Sequence, residues 1–244
     1  MRHRHEPPAG ADDIVSATIA HWRHLSPPEQ EQVLRDTEWL LRRKHWEGAG
    51  GLDLDDIIRV VIAAQAALLI LGLSRDHDRY VSAIVVYPTS VVSVGEHAGP
   101  IPGTRTSGPL PVHGLAGDRA GPVLIAWDQA ERAARHPEHG HNVVFHEFAH
   151  KLDTLDGLAD GTPPLDRATT RRWIDVCTPI FTDLRHGNPH PPLRDYGATS
   201  PAEFFAVATE AFFDLPVDLR HRESKLYDTL RDFYAQDPAA RIDR

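Results

Sequence analysis

Apolar residues along this chain recur mostly at helical spacing. Ile14, Ile19 and Trp22 predict a helix over residues 13–24, behind a polar tail at residues 1–12. Ser26-Pro27-Pro28-Glu29 reads as a helix start, with Ser as cap, Pro in the first turn and an acidic residue behind it. Val33, Leu34, Trp39, Leu40 and Leu41 then form an apolar stripe, and the Gly-rich stretch 46–51 breaks that helix. Residues 53–73 read as a second helix. Its apolar run from Val60 to Leu73, with Gln65 inside it, is shorter than the ~20 residues that span a bilayer, so it reads as a buried core helix. β-branched residues predict a strand at 81–87, extended past Pro88 by Val91-Val92, and a short strand at 123–127. Between them, residues 95–121 are rich in Gly and Pro, lack periodicity and read as a long loop. A short helix or turn follows at 128–135, then helices at 142–155, 168–184 (bent at Thr178-Pro179), 200–213 and 226–234, with a Pro-rich connection at 186–199. This order, mostly helical with a small sheet ahead of the 142–155 helix, is an α+β pattern.

Length and composition narrow the picture. A chain of 244 residues makes one large domain or two small ones, and 41% hydrophobic with 25% charged residues is a globular composition. The formal net charge of −9 argues against direct nucleic-acid binding, which needs clustered Lys and Arg. The N-terminus carries basic residues with no apolar stretch behind them, unlike a secretory signal. Cys177 is the single cysteine, so no internal disulfide exists. Its apolar surroundings give it a packing role rather than that of a nucleophile. These features suit a cytoplasmic protein without a membrane span.

The chemistry concentrates in His146-Glu147-Phe148-Ala149-His150. On a helix, residues four apart share a face, so both imidazoles can address one ion. Zinc takes His nitrogens at ~2.0–2.1 Å, and Glu147 sits where a carboxylate can take a proton from a water activated by the ion. The apolar flanks Val143, Val144, Phe148 and Leu152 support a buried amphipathic helix. His136, His139 and His141, just upstream, read as exposed turn residues.

A catalytic site needs a third ligand, and the spacing leaves several candidates open. Asp156 stands six residues after His150, but the glycine and methionine turn that accompany this arrangement are missing. Asp153, seven residues after His146, reads as a group that braces a ligand or closes the helix end. Glu203, in Ser200-Pro201-Ala202-Glu203-Phe204-Phe205-Ala206-Val207, can complete a His₂Glu site from a separate helix, or can serve as the glutamate of a capping box with Ser200. Glu210, seven residues on, is the reserve, either as ligand or as the group that orients one.

The motif helix His146-Glu147-Phe148-Ala149-His150-Lys151-Leu152-Asp153, Tyr196 and the Ser200–Val207 segment together resemble the Mlc titration factor A (MtfA) family of bacterial zinc peptidases. Tyr87-Pro88, Gly121-Pro122-Val123-Leu124 and Phe233-Tyr234-Ala235-Gln236-Asp237-Pro238 add to the likeness, which spans roughly residues 25–240. The resemblance implies a zincin-like domain over 25–240, similar to the anthrax lethal factor catalytic domain and built of helices around a small mixed sheet, behind an N-terminal tail and short helix at 1–24. It implies one zinc ion per chain held by His146, His150 and Glu203, with Glu147 as general base and Tyr196 as an oxyanion donor. Asp153 and Glu210 stay as supporting candidates. It implies aminopeptidase-like hydrolysis of a peptide or protein substrate. It also implies the alternative of a regulatory protein that sequesters a transcriptional repressor. The 123–127 strand is available to pair with an extended peptide.

Overall fold

The computed structural model describes residues 8–74, 81–89, 92–98, 105–111 and 121–243. The N-terminal helix is shorter than the periodicity predicts. Helix α1 (Ala11–Thr18) ends at Ile19, whose extended backbone hands the chain to a 3₁₀ turn at Ala20–His24. Val15 and Ile19 are buried all the same. Helix α2 (Pro27–Arg43) starts at Ser26, whose backbone N–H donates to Glu29 Oε2 at 2.8 Å. Strand β1 (His45–Gly48) follows, in the stretch that reads from sequence only as a breaker. Four residues are too few to display an alternation, and only Trp46 is buried.

Helix α3 (Asp56–Ile70) is capped by Asp55, which accepts from Ile58 N at 2.8 Å. Every residue of it from Val60 to Ile70 is buried. It packs against α1 and α2 and against two later helices, α4 (Trp127–Arg135) and α5 (Val143–Asp153), which makes it the centre of the core. Each fully buried Val, Leu or Ile there contributes roughly 1.5–3 kcal/mol relative to exposure. Among the described residues no helix is long and apolar enough to cross a membrane.

Strand β2 (Ala83–Tyr87) and a later strand, β5 (Val123–Ala126), join β1 in a three-stranded sheet of order β1-β2-β5. Both pairings are parallel, with His45 opposite Ala83 and Ile84 opposite Val123. The expected mixed sheet is therefore wholly parallel among the described residues, because α3 crosses between β1 and β2 and returns the chain in the same direction. Val92 does not extend β2. It begins β3 (Val92–Ala98), which pairs antiparallel with β4 (Arg105–Pro111) in a separate two-stranded ribbon, Val92 opposite Pro111 and Ala98 opposite Arg105. The segment expected to be a loop over 95–121 thus contains strand. Hydrophobic alternation reports a buried face, and backbone pairing of Gly95 with Gly108 needs none. Val91 and the parts of that segment at 99–104 and 112–120 lie outside the described residues.

Downstream, α5 packs against α7 (Pro201–Asp214). Helix α6 (Arg167–Arg185) runs on through Pro179 and packs with α9 (Ser224–Tyr234). Two short helices not expected from periodicity, α8 (Pro216–Arg222) and α10 (Pro238–Ile242), flank α9. Each begins with Pro in its first turn.

Candidate metal centre

Helix α5 begins at Asn142, whose side-chain oxygen accepts from Val144 N and Phe145 N, both at 3.1 Å. Asn142 Nδ2 in turn donates to Gln65 Oε1 at 3.0 Å, and Gln65 Nε2 donates to Ala130 O at 3.2 Å. The one polar residue inside the apolar run of α3 therefore anchors the start of the motif helix. Every residue of α5 is buried.

His146 and His150 meet on one face of α5, with Nε2 to Nε2 at 3.2 Å. Glu203 comes to them from the first turn of α7. Ser200 Oγ accepts from Glu203 N at 3.2 Å, so half of the capping box forms. The Glu203 carboxylate does not complete it. Its Oε2 stands 3.0 Å from His146 Nε2 and 3.5 Å from His150 Nε2. Glu210, two turns further along α7, has a fully buried carboxylate that accepts from Asn142 N and from His146 Nδ1, both at 2.7 Å, and also from the Arg194 guanidinium.

This pattern fixes one proton of His146. A carboxylate only accepts, so Nδ1 carries a proton donated to Glu210, and Nε2 faces inward, where it takes either a second proton or a metal ion. Three ligand atoms then converge: Nε2 of His146, Nε2 of His150 and Oε2 of Glu203, all within 4.8 Å of one another. Glu203 Oε2 is buried with no hydrogen-bond partner among the described residues. Atoms of this kind come so close only with a cation among them, a proton or a metal ion. Two donors on a tetrahedral ion with arms of ~2.05 Å lie ~3.3 Å apart. The separations of 3.2, 3.0 and 3.5 Å bracket that edge. The residues fit a zinc-sized ion.

Electrostatics agree. Burial disfavours a charged imidazole at His146, yet Glu203 and Glu210 outweigh it and raise its pKa to about 10. The Glu203 carboxyl is held far below its ordinary range, against its own burial, by His146 and His150. The negative charge of Glu203 and Glu210 that favours a proton on the imidazole also favours a metal cation, which must displace that proton to bind.

Glu147 is 1% exposed and its charge bears on both His146 and Tyr196. Tyr196 lies in a 3₁₀ turn at Asp195–Ala198, its ring centroid 6.0 Å from that of His146. Burial and then the Glu203 charge push its hydroxyl up to about 12. Asp153 is not among the converging atoms. Its Oδ2 accepts from Gly161 N at 3.0 Å, and burial lifts its pKa to about 6. Gly161 has φ +77°, and a Cβ there would lie 2.2 Å from Pro201 O. Asp153 thus braces the loop against which α7 starts. Asp156 is exposed, accepts from Leu158 N at 3.0 Å and stays outside the cluster. His136 and His139 are exposed, as expected, and form a second group with Glu138 on the surface. Burial raises the Cys177 thiol to about 12, in keeping with a packing role. Gln65, Asn142 and Arg194 support the candidate site, and the spacing of the motif residues points to none of them. The buried run that encloses Gln65 was the one signal available.

The family model of the glucose-regulated metallo-peptidase M90 matches residues 1–235. The chain belongs to this family. The Synechocystis protein slr2042 is 34% identical over 229 residues, covering 92% of this chain and 83% of that protein. Mlc titration factor A of Serratia proteamaculans is 30% identical over 242 residues, covering 93% and 91% respectively. Its Yersinia pestis counterpart is 28% identical over 226 residues, covering 90% and 82%. The similarity to the Mlc titration factor A family is thus borne out along most of the chain. Membership of a metallo-peptidase family brings a metal ion and hydrolase chemistry, and the buried group His146, His150 and Glu203 is a candidate to hold that ion.

Proposed function

We propose that this M90 family member is a zinc-dependent peptidase with one zinc ion held by His146, His150 and Glu203. The observation that carries the reading is the buried convergence of two imidazole nitrogens and a carboxylate oxygen at tetrahedral-edge distances. When bound, zinc supplies Lewis-acid polarisation of the scissile carbonyl and lowers the pKa of water nearby. Glu147 takes the proton from the attacking water and later delivers it to the leaving amine. Tyr196, kept protonated by a pKa of about 12, donates its O–H to the carbonyl oxygen as that oxygen gains charge. Glu210 holds His146 so that Nε2 points inward. Strand β5 ends the order β1-β2-β5, which supports strand addition by an extended peptide substrate.

The substrate class we propose is peptides cleaved in an aminopeptidase-like manner. The domain proposed is zincin-like over 25–240, similar to the anthrax lethal factor catalytic domain, behind the segment 1–24. Its lone, buried thiol supports a cytoplasmic setting. A second reading, a regulatory protein that sequesters a transcriptional repressor, draws support from the name Mlc titration factor A carried by the relatives.

The test combines metal analysis with cleavage of a peptide library by wild type and Glu147→Gln. The variant is expected to keep one zinc per chain and to lose hydrolysis. Equal cleavage by both proteins would remove Glu147 from the mechanism, and no cleavage by metal-loaded wild type would favour the regulatory reading.

A further inference from the structure

Arg194 is joined to the site in two ways. Its carbonyl accepts from Gly197 N at 3.0 Å, which closes the turn that presents Tyr196. Its guanidinium donates to Glu210 Oε1, the same oxygen that accepts from His146 Nδ1 at 2.7 Å. The other oxygen of Glu210 accepts from Asn142 N at 2.7 Å. A single carboxylate with no exposure therefore ties together the start of α5, the His146 ring and the segment that carries Tyr196.

The guanidinium is not placed there for stability alone. Arg194 Nε is buried with no hydrogen-bond partner among the described residues. An unpaired buried donor is a cost, and such costs gather where function fixes a side chain. What the placement achieves is clear from the geometry. Arg194 shares Oε1 with His146 Nδ1, so the position of the guanidinium sets where the carboxylate sits and hence how the imidazole is turned.

We infer that Arg194 is a positioning residue of the metal centre: through Glu210 it orients His146 toward Glu203 and His150, and through its own backbone it sets Tyr196 beside the same ring. This rests on the reading of His146 as a metal ligand. It couples two parts of the site that come from separate elements, so a displacement of the Tyr196 segment is felt at the metal.

The experiment is a double-mutant cycle read by zinc affinity, measured by chelator competition on the full chain. Its proteins are wild type, Arg194→Ala, Glu210→Gln and the double variant. Arg194→Ala is expected to weaken zinc binding by about 10–100-fold, and Glu210→Gln by a similar factor. Because Arg194 acts through Glu210, the double variant is expected to bind no more weakly than Glu210→Gln alone. Arg194→Lys is expected to recover part of the loss, and the cobalt(II) absorption spectrum of Arg194→Ala to shift from that of wild type. Wild-type affinity in Arg194→Ala, or losses that multiply in the double variant, would overturn the inference. Thermal melts of the zinc-free proteins check folding, and Arg194→Gln replaces the Ala variant in the cycle if that one does not fold. His150→Ala is the separate control: zinc binding as tight as wild type there would sink the metal-site reading itself, independently of the Arg194 cycle.

Discussion

Glu203 Oε2 and His146 Nε2 stand 3.0 Å apart, with a cation (a proton or a metal ion) required between them. On the opposite side of the ring Nδ1 donates to Glu210 Oε1 at 2.7 Å. Without metal that cation is the proton that the raised pKa of about 10 keeps on the imidazole, and a metal ion bound by both residues takes its place. Glu203→Ala is therefore expected to reduce zinc affinity by more than the ~10–100-fold that loss of a supporting partner causes. Metal content after dialysis reads this directly, with circular dichroism to check that α7 persists. Full occupancy in Glu203→Ala would reassign the third ligand.

Tyr196 is expected to act on rate rather than on metal or fold. It is 40% exposed, so removal of its hydroxyl changes stability by only ~0.5 kcal/mol or less. Tyr196→Phe is expected to lower kcat by roughly 10²–10³-fold, as for other oxyanion donors, with KM and zinc content near wild type. A proportional rise in KM at unchanged kcat would place the hydroxyl on the bound substrate and not on the developing charge.

The parts of the candidate site legible in the sequence are those that obey a local rule. The spacing of His146 and His150 places them on one helix face whatever surrounds them, and Ser200-Pro201 marks the start of α7 by its own cap chemistry. The direction of the Glu203 side chain follows no local rule. Its context suits a carboxylate turned back to Ser200 as well as one turned across to α5, and only the packing of α7 on α5 decides. The same limit hid Asn142 and Gln65, which meet across 77 positions. Strand β1 was hidden for another reason: four residues with one buried side chain carry too little pattern to distinguish a strand from a break. The paired Gly95 and Gly108, with Pro109 and Pro111 in β4, concealed the ribbon likewise, since neither residue type favours a strand by itself.

Gly161 links stability to the metal site. Its φ of +77° is costly for any residue with a side chain, and a Cβ would lie 2.2 Å from the carbonyl oxygen of Pro201, a backbone atom that cannot swing away. Gly161→Ala is expected to lose about 2 kcal/mol or more, from the left-handed conformation and the displaced contact together. Pro201 opens the helix that carries Glu203, so the same change is expected to weaken zinc binding. Urea unfolding of zinc-free protein measures the first effect and chelator competition the second. A destabilised variant with unaltered zinc affinity would show that the 161 loop supports the fold without placing Glu203.

Asp214, at the end of α7, gives a pH dependence that is separate from the metal. Its side chain is fully buried, 3.1 Å from His21 Nε2. Burial raises its pKa to about 6, with His21 and Asn142 pulling in the other direction and Glu210 adding to the rise. For an acid whose folded pKa lies above its unfolded value of ~3.9, the folded protein keeps a proton that the unfolded chain has released. Stability is then greatest at or below pH ~4 and falls as pH rises to about 6, after which the penalty stays constant. Asn at this position is neutral throughout. Asp214→Asn is therefore expected to match wild type near pH 4 and to exceed it above pH 7 by at most about 3 kcal/mol, at ~1.4 kcal/mol per pKa unit. Urea unfolding of zinc-free protein across this range tests it. A difference between the two proteins that does not change with pH would mean that Asp214 is ionised in the folded state throughout, held so by His21.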